Sequence, residues 1–360
     1  MKIVIRAGGV GSRLWPVSRK TNPKQFHALT GGATMLEESI ERVRPVADIE
    51  DIYVSTSTAF VDTIKERHHE LLPENIIAEP ARRDTAAAIG LESIIIYHRD
   101  KNAVIASLGS DHNVKKPEEF QKILKVTEEF VQKHPDTIIP IGVHPTHPDT
   151  GFGYIEYGDV LDRSNGYNLM KVTRFIEKPD LKTAKEFLQK ANFLWNANMF
   201  VWKAETVLRL YKKYLPEMYA QLEEIEKDLG TEKEQETIER VYPQMEKIAV
   251  DYAITEKADK VAVVSADIGW CDIGDWARLK DELEETEADN VAIGAEHVAV
   301  KTENTLVFSE TPKKVIATIG VDNLVIIETD DALLVADKYH SNEVKQIVEE
   351  LEKRKRDDVL

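Results

Sequence analysis

The stretch Lys2-Ile3-Val4-Ile5-Arg6-Ala7-Gly8-Gly9-Val10-Gly11-Ser12-Arg13-Leu14-Trp15-Pro16 is followed by Arg19-Lys20 and Pro23-Lys24-Gln25-Phe26. A short apolar, β-branched run ends in a glycine cluster. A strand over Lys2 to Ala7 should therefore turn into a loop whose backbone N–H groups can approach an anion closely. The first 36 residues carry six basic side chains and no acidic one, and the first acid is Glu37. This surplus is local, because the whole chain has a formal net charge of −17. The anion it attracts should be a small polyphosphate, and nucleic acid is an unsuitable partner for so acidic a protein. The same letters also describe a glycine turn beside a basic surface patch. Two phosphate-binding spellings are excluded. No Lys-Ser or Lys-Thr follows the glycines at P-loop spacing, and Leu14 stands where the dinucleotide fingerprint needs its third glycine.

Outward from this loop, β-branched runs alternate with helical periodicity. Ile52 to Ser55, Ile76 to Ala78 and Ala103 to Leu108 read as strands. Leu36, Ile40 and Val43 mark one helix, about Ala59 to Leu72 a second, and the alanine-rich run from Thr85 a third. Such alternation implies an α/β fold with a Rossmann-like mixed, mainly parallel sheet and right-handed crossovers. Ligands of such sheets bind beyond the carboxyl ends of the strands, where Gly8, Glu79 and Asp111 should converge. Tyr154 to Tyr157, Leu169 to Ile176 and Phe200 to Trp202 read as strands of an insertion for a second substrate. Leu222 to Glu239, dense in Glu and Lys, reads as a solvated helical face. From about Asn290 the pattern changes to short strands and a last helix. The expected division is a catalytic domain over 1–289 and a small C-terminal β-rich domain over 290–360, with no long internal repeat.

The chain has 360 residues, 42% hydrophobic and 31% charged, which fits a globular protein and argues against disorder. No apolar run reaches the length that spans a bilayer, so no membrane partner is expected. The single cysteine, Cys271, excludes an internal disulfide and suits a reducing, cytoplasmic setting. It reads as a small packed thiol. His144 and His147 sit among prolines and read as loop residues, not as zinc ligands. His68 and His69 read as exposed on a charged helix. Lys353 to Arg356 reads as a solvated helix end.

The pattern over Gly8 to Phe26 resembles the G-G-x-G-[ST]-R-L…P-K signature of the sugar-1-phosphate nucleotidyltransferases. The Trp15-Pro16 pair and the Pro23-Lys24-Gln25-Phe26 ending are similar to its mannose-1-phosphate guanylyltransferase branch. Further motifs follow in family order. Leu108-Gly109-Ser110-Asp111-His112 and Gly269-Trp270-Cys271-Asp272-Ile273-Gly274-Asp275-Trp276 look like the metal-binding segments. Phe175-Ile176-Glu177-Lys178-Pro179 resembles F-x-E-K-P, and Phe152-Gly153-Tyr154-Ile155 resembles the sugar-cradling F-G-Y-I. Trp195-Asn196-Ala197-Asn198-Met199-Phe200 resembles W-N-x-G-M-F, with Asn198 in place of glycine. Glu79-Pro80 with Arg83-Asp84-Thr85-Ala86-Ala87-Ala88 resembles E-P-x-x-R-N-T-A-P-A, departing at Asp84 and Ala87. Ala249-Val250-Asp251-Tyr252-Ala253 resembles I-D-Y-A.

The resemblance implies a GT-A-like fold and transfer of GMP from GTP to α-D-mannose 1-phosphate, with release of pyrophosphate. On it, Gly8, Gly9, Gly11, Ser12, Arg13 and Lys24 hold the GTP phosphates. Glu79 reads guanine, and Thr85 and Asp111 belong to the nucleotide site. Asp111 and Asp272 bind Mg²⁺. Lys178 fixes the sugar phosphate, and Gly153, Tyr154, Glu177, Asn196, Asn198 and Asp251 line the sugar. Single residues keep other readings: Asp111 a turn or cap, Glu177-Lys178 a surface ion pair, Glu79 a strand end, Asp251 a helix cap. Asp275 is expected to cap the helix starting at Trp276. Some members of this family carry a further isomerase domain; here the expectation is the shorter form with a single activity. Two rivals remain: the same chemistry on another sugar or nucleotide, and a catalytically silent subunit that senses sugar nucleotide. Self-association as a homodimer through the β-rich domain is left open.

Overall fold

The Lys2–Ala7 run forms β1, flanked on both sides by parallel strands, and Ile3, Val4 and Ile5 are all buried, as a strand covered on both faces requires. The computed structural model describes residues 1–311 and 313–360. By compactness the chain divides into two units: residues 1–8, 40–109 and 114–270 form one, and residues 9–39, 110–113 and 271–360 form the other.

The strands of the first unit are β1, β2 (Ile52–Ser57), β3 (Ile76–Glu79) and β4 (Val104–Gly109), followed after the short β5 (His112–Val114) by β6 (Ile139–Val143), β7 (Tyr154–Ser164), β8 (Tyr167–Ile176), β9 (Phe193–Lys203) and β10 (Ala262–Ala266). All but β5 join one nine-stranded sheet in the order β3-β2-β1-β4-β9-β6-β10-β8-β7. The pairings give β8 and β9 one direction and the other seven strands the opposite one. The expected mixed, mainly parallel α/β sheet is thus present. The helix Asp84–Arg99 is buried all along Ala86 to Ile96 and packs with Phe200, Trp202, Val207 and Tyr211. Its alanines make that close packing possible.

β7 is longer than the apolar run that announced it because its outer half is largely exposed, and β9 is longer because two asparagines, Asn196 and Asn198, interrupt a strand that is otherwise largely apolar and buried. The helix expected from Ala59 to Leu72 is shorter, Val61–Arg67, and ends at His68. His68 is buried, contrary to the sequence reading, with Nδ1 3.2 Å from Glu70; only His69 is exposed. Leu222 to Glu239 is also not simply a solvated face. It contributes to two helices, Pro216–Glu226 and Glu234–Val241, whose Leu222, Ile225 and Ile238 join the core.

The second unit contains most of β11 (Trp270–Asp272), then β12 (Val291–Ile293), β13 (Ala295–Val300), β14 (Leu306–Ser309), β15 (Lys314–Ile319), β16 (Leu324–Glu328) and β17 (Leu333–Asp337). Here a repeat appears that the side chains conceal. Ala295 pairs with Lys314 and Leu306 with Val325, both nineteen residues on. The left-handed corners recur at the same interval: Gly294 and Lys313, Lys301 and Gly320, Asn304 and Asn323 all have positive φ. Asn304 Nδ2 donates to Asn323 Oδ1 at 2.6 Å, and Lys338 Nζ donates to Asn304 Oδ1 at 3.0 Å. A buried asparagine thus supplies both the corner conformation and the bond between successive turns.

Asn304→Ala should cost about 2–3 kcal/mol, since it takes the donor from Asn323 Oδ1, removes one of the partners of Lys338 Nζ and strains the left-handed corner. Asn304→Gly should cost less, because glycine keeps the corner. Urea unfolding of both variants checks the order, and equal losses would show that the corner conformation contributes nothing.

Candidate active site

In the second unit the glycine loop closes on Lys24. Gly11 has φ +68 and precedes a 3₁₀ turn over Ser12–Leu14, with Leu14 N donating to Gly11 O at 2.9 Å. A Cβ at Gly11 would meet the Lys24 stem at 2.9 Å, so a side chain there is excluded both by conformation and by space. Lys24 opens the turn Lys24–Phe26 and is buried. Its Nζ lies 2.8 Å from Asp111 Oδ2, 3.8 Å from Asp272 Oδ1 and 3.2 Å from the Ile273 carbonyl. Burial pulls the Lys24 pKa down, but the two carboxylates outweigh it and hold it above the ordinary lysine value. Burial would likewise raise Asp111, yet Lys24 and His112 hold it well below the usual carboxylate range. Arg278 Nη1 stands 3.7 Å from Asp272 Oδ2. Arg13 is exposed and close enough to Lys24 for its charge to be felt. The loop is braced from behind: Trp276 Nε1 donates to Trp15 O at 3.0 Å, and Trp15 Nε1 to Val359 O at 2.7 Å.

Asp111 Oδ2 and Asp272 Oδ1 face one ammonium, so their carboxylates already converge on a single cation. Two carboxylates, completed by substrate phosphates and water, suit Mg²⁺. No group of three or more His, Cys, Asp or Glu side chains able to hold a metal occurs among the described residues, so the protein alone forms no closed cage. The donor set fits an ion that arrives with phosphate.

In the first unit two groups form. Glu79 ends β3, buried, with Oε1 accepting from Ser55 Oγ at 2.9 Å and Oε2 from Tyr242 Oη at 2.7 Å. Burial raises its pKa, against the pull of both hydroxyls and Arg6. Gly8 is beside it, since a Cβ there would lie 3.5 Å from Glu79 Oε1. Thr85 Oγ1 accepts from Val250 N at 2.9 Å, at the start of the helix where Asp84 has positive φ.

The second group gathers Gly153, Glu177, Lys178, Asn196, Asn198 and Asp251. Glu177 Oε1 meets Lys178 Nζ at 3.0 Å, while Oε2 is buried without a hydrogen-bond partner. A Cβ at Gly153 would stand 2.3 Å from that oxygen. Asn196 N donates to Gly153 O at 2.8 Å and its Nδ2 to Asp251 Oδ1 at 2.9 Å. Asp251 lies inside a π-helical turn, not at a helix cap. Burial and then the Glu177 charge push its pKa up to about 6. Tyr154 is buried, its hydroxyl committed to Asp149 O at 2.9 Å, which anchors the loop before β7.

Asp275 caps the helix Trp276–Leu283 as expected, accepting from Arg278 N at 3.0 Å. His144 and His147 are in a loop. Cys271 is half-buried, its thiol pushed up to about 12 by burial and by Glu282 and Asp272, as for a packed thiol. No helix of the described residues is long and apolar enough to cross a membrane. Sequence reasoning missed Arg6, whose Nη2 donates to Asn198 O at 2.6 Å, and the Ser55 and Tyr242 partners of Glu79. The one signal for Arg6 was a charge next to the apolar run Ile3-Val4-Ile5 within the strand.

The family model for nucleotidyl transferases matches residues 2–289, and that for the MannoseP isomerase/GMP-like beta-helix domain matches residues 295–351. The chain is 35% identical to a mannose-1-phosphate guanylyltransferase of Escherichia coli over 97% of this chain and 75% of that protein. It is 33% identical to the mannose-1-phosphate guanylyltransferase ManC of Salmonella typhimurium, over 97% of this chain and 72% of that one. A crystal structure of mannose-1-phosphate geranyltransferase from Thermus thermophilus superposes with a TM-score of 0.87 at 30% identity, covering 98% of this chain and 99% of the other.

The raised Asp251 carboxyl favours folding in its protonated form. That contribution is complete below 3.8, the unfolded value, and is lost as pH rises through about 6. Asp251→Asn should therefore gain stability over the parent between pH 4 and pH 8, by about 3 kcal/mol for a shift near two pKa units. Urea unfolding across that range measures it, and a pH-independent difference would rule it out.

Proposed function

The chain belongs to the mannose-1-phosphate guanylyltransferase family, and from that footing we propose how its residues carry out nucleotidyl transfer. It is an enzyme that joins GMP from GTP to α-D-mannose 1-phosphate, giving GDP-mannose and pyrophosphate. A phosphate oxygen of the sugar phosphate, already ionised, attacks the α-phosphorus. A new P–O bond forms as the bond to the β-phosphate bridging oxygen breaks, and the electron pair leaves with pyrophosphate. No general base is needed, so alignment and charge neutralisation carry the rate.

In this reading the backbone of Gly8, Gly9, Gly11 and Ser12, with Arg13 and Lys24, holds the GTP phosphates and the charge that builds on the leaving group. Glu79 and Thr85 serve the nucleoside. Asp111 and Asp272 would hold Mg²⁺, which when bound neutralises phosphate charge. Lys178 orients the sugar phosphate, and Glu177 Oε2, the Gly153 backbone, Tyr154, Asn196 and Asp251 shape the sugar subsite, with Asn198 in the turn behind Asn196. The observation that carries the assignment is the buried Lys24 ammonium, seated against Gly11 between two convergent carboxylates. A surface patch has no need of such a buried cation. Lys24, Asp111, Lys178 and Asp272 are all present, which favours an active enzyme over a silent sensing subunit. A cytoplasmic setting without nucleic-acid partners completes the proposal, supported by the single cysteine and the charge of −17.

Pyrophosphate release over four NTPs and the 1-phosphates of mannose, glucose, galactose and N-acetylglucosamine tests the substrates. Activity centred on GTP with mannose 1-phosphate is expected, and preference for another pair would overturn the specificity. Lys24→Ala should lower kcat about 10²–10³-fold, and near-normal turnover would remove Lys24 from the machinery. Chelation by EDTA should abolish turnover and added Mg²⁺ restore it; turnover that persists in EDTA would discard the metal.

A further inference from the structure

Arg6 connects the two groups of the first unit. Its Nη2 donates to both the carbonyl and the side chain of Asn198, at 2.6 and 3.2 Å. Asn198 holds a left-handed φ of +53, a conformation that costs a non-glycine residue unless its surroundings impose it. With the turn in that form, Asn198 N donates to Asn196 Oδ1 at 3.1 Å. This bond decides the Asn196 amide, because an oxygen must face the backbone N–H and Nδ2 is left to donate to Asp251 Oδ1. Four residues are thereby linked in one direction of hydrogen bonding, from the guanidinium to the Asp251 carboxylate. Arg6 also lowers the pKa values of Glu79, Glu92 and Asp251, which burial raises. Its Nη1 is buried without a partner.

We propose that Arg6 is a positioning residue for the sugar phosphate: by clamping the left-handed turn at Asn198 it fixes the Asn196 amide toward Asp251. The inference rests on reading Asn196 and Asp251 as sugar contacts. If the turn relaxes, Asn196 Oδ1 loses its backbone N–H partner and the amide is free to swing Nδ2 away from Asp251. The Asn198 side chain, expected from sequence to line the sugar, gives its Oδ1 to Arg6 as an acceptor.

A plain counter-charge for buried acids predicts something different, so lysine separates the two. Arg6→Lys keeps the charge but not the planar fork that reaches both Asn198 oxygens. Asn198→Ala loses Oδ1 and disfavours the turn, whereas Asn198→Gly keeps the turn and the carbonyl. KM for mannose 1-phosphate should rise about tenfold in Arg6→Lys and in Asn198→Ala, with KM for GTP within about twofold of the parent. The double variant should be no worse than the weaker single one, and Asn198→Gly should stay within about threefold. Sugar-phosphate KM unchanged in both single variants, or an equal rise in both KM values, would overturn the proposal. Should Arg6→Lys not fold, Asn198→Ala decides by the same split. If the parent prefers another sugar 1-phosphate, the substrate reading has failed, and the same split measured with that sugar still decides the role of Arg6.

Discussion

One ammonium group organises the second unit. Lys24, Asp111 and Asp272 come from three segments that are distant in sequence, and the ion pairs among them bring these segments to one point. Removing a charge from water costs several kcal/mol, which only close opposite charges offset. A buried lysine therefore dictates where both acids must be, and the glycine at 11 is what lets its stem pass. The braces follow from the same demand: the two tryptophans 15 and 276 hand their indole N–H groups to backbone carbonyls behind the loop. The geometry that holds Lys24 is also the geometry that would present carboxylates to a divalent ion.

The first unit is arranged around the opposite sign. Glu79, Glu92, Glu177 and Asp251 are all held largely out of water, and burial pushes Glu92 up to about 7 and Asp251 to about 6. Arg6 is the cation that Glu79, Glu92 and Asp251 have in common. Lys178 adds a second positive charge beside Glu177. Its ammonium, exposed and held above the ordinary lysine value against burial by Glu177, is available at the edge of the group.

Much of this was legible in the letters. β-branched runs mark β1 to β4 because central parallel strands must be apolar on both faces. The motif residues were legible because their chemistry is spelled in contiguous residues: Gly11 with Arg13, Glu177 with Lys178, Asn196 with Asn198. What stayed hidden depends on partners far along the chain. The roles of Ser55 and Tyr242 exist only once β2, β3 and residue 242 meet, and nothing local in Tyr242 distinguishes it from a core tyrosine. His68 looked exposed because its neighbours are charged, yet it ends the helix and turns inward. The nineteen-residue repeat was invisible because it is carried by backbone φ at Gly, Lys and Asn, three side chains with no resemblance to one another.

The same principle governs Asn198. A substitution away from glycine at a left-handed turn invites two readings, a lost turn or an added contact, and both are local. The structure shows the turn kept and the new side chain spent on Arg6, 192 residues earlier. Asparagine is the side chain that tolerates this φ most readily while offering an oxygen. An arginine in the strand before the glycine loop and an asparagine in the turn after Asn196 are each unusual alone. Together they form one hydrogen-bonded clamp, so neither can be judged as a single departure. A glycine at 198 would leave Arg6 with the carbonyl alone, and a leucine at 6 would leave the buried acids without their shared cation. The two positions constrain each other through physics that acts across the sheet, from β1 to β9.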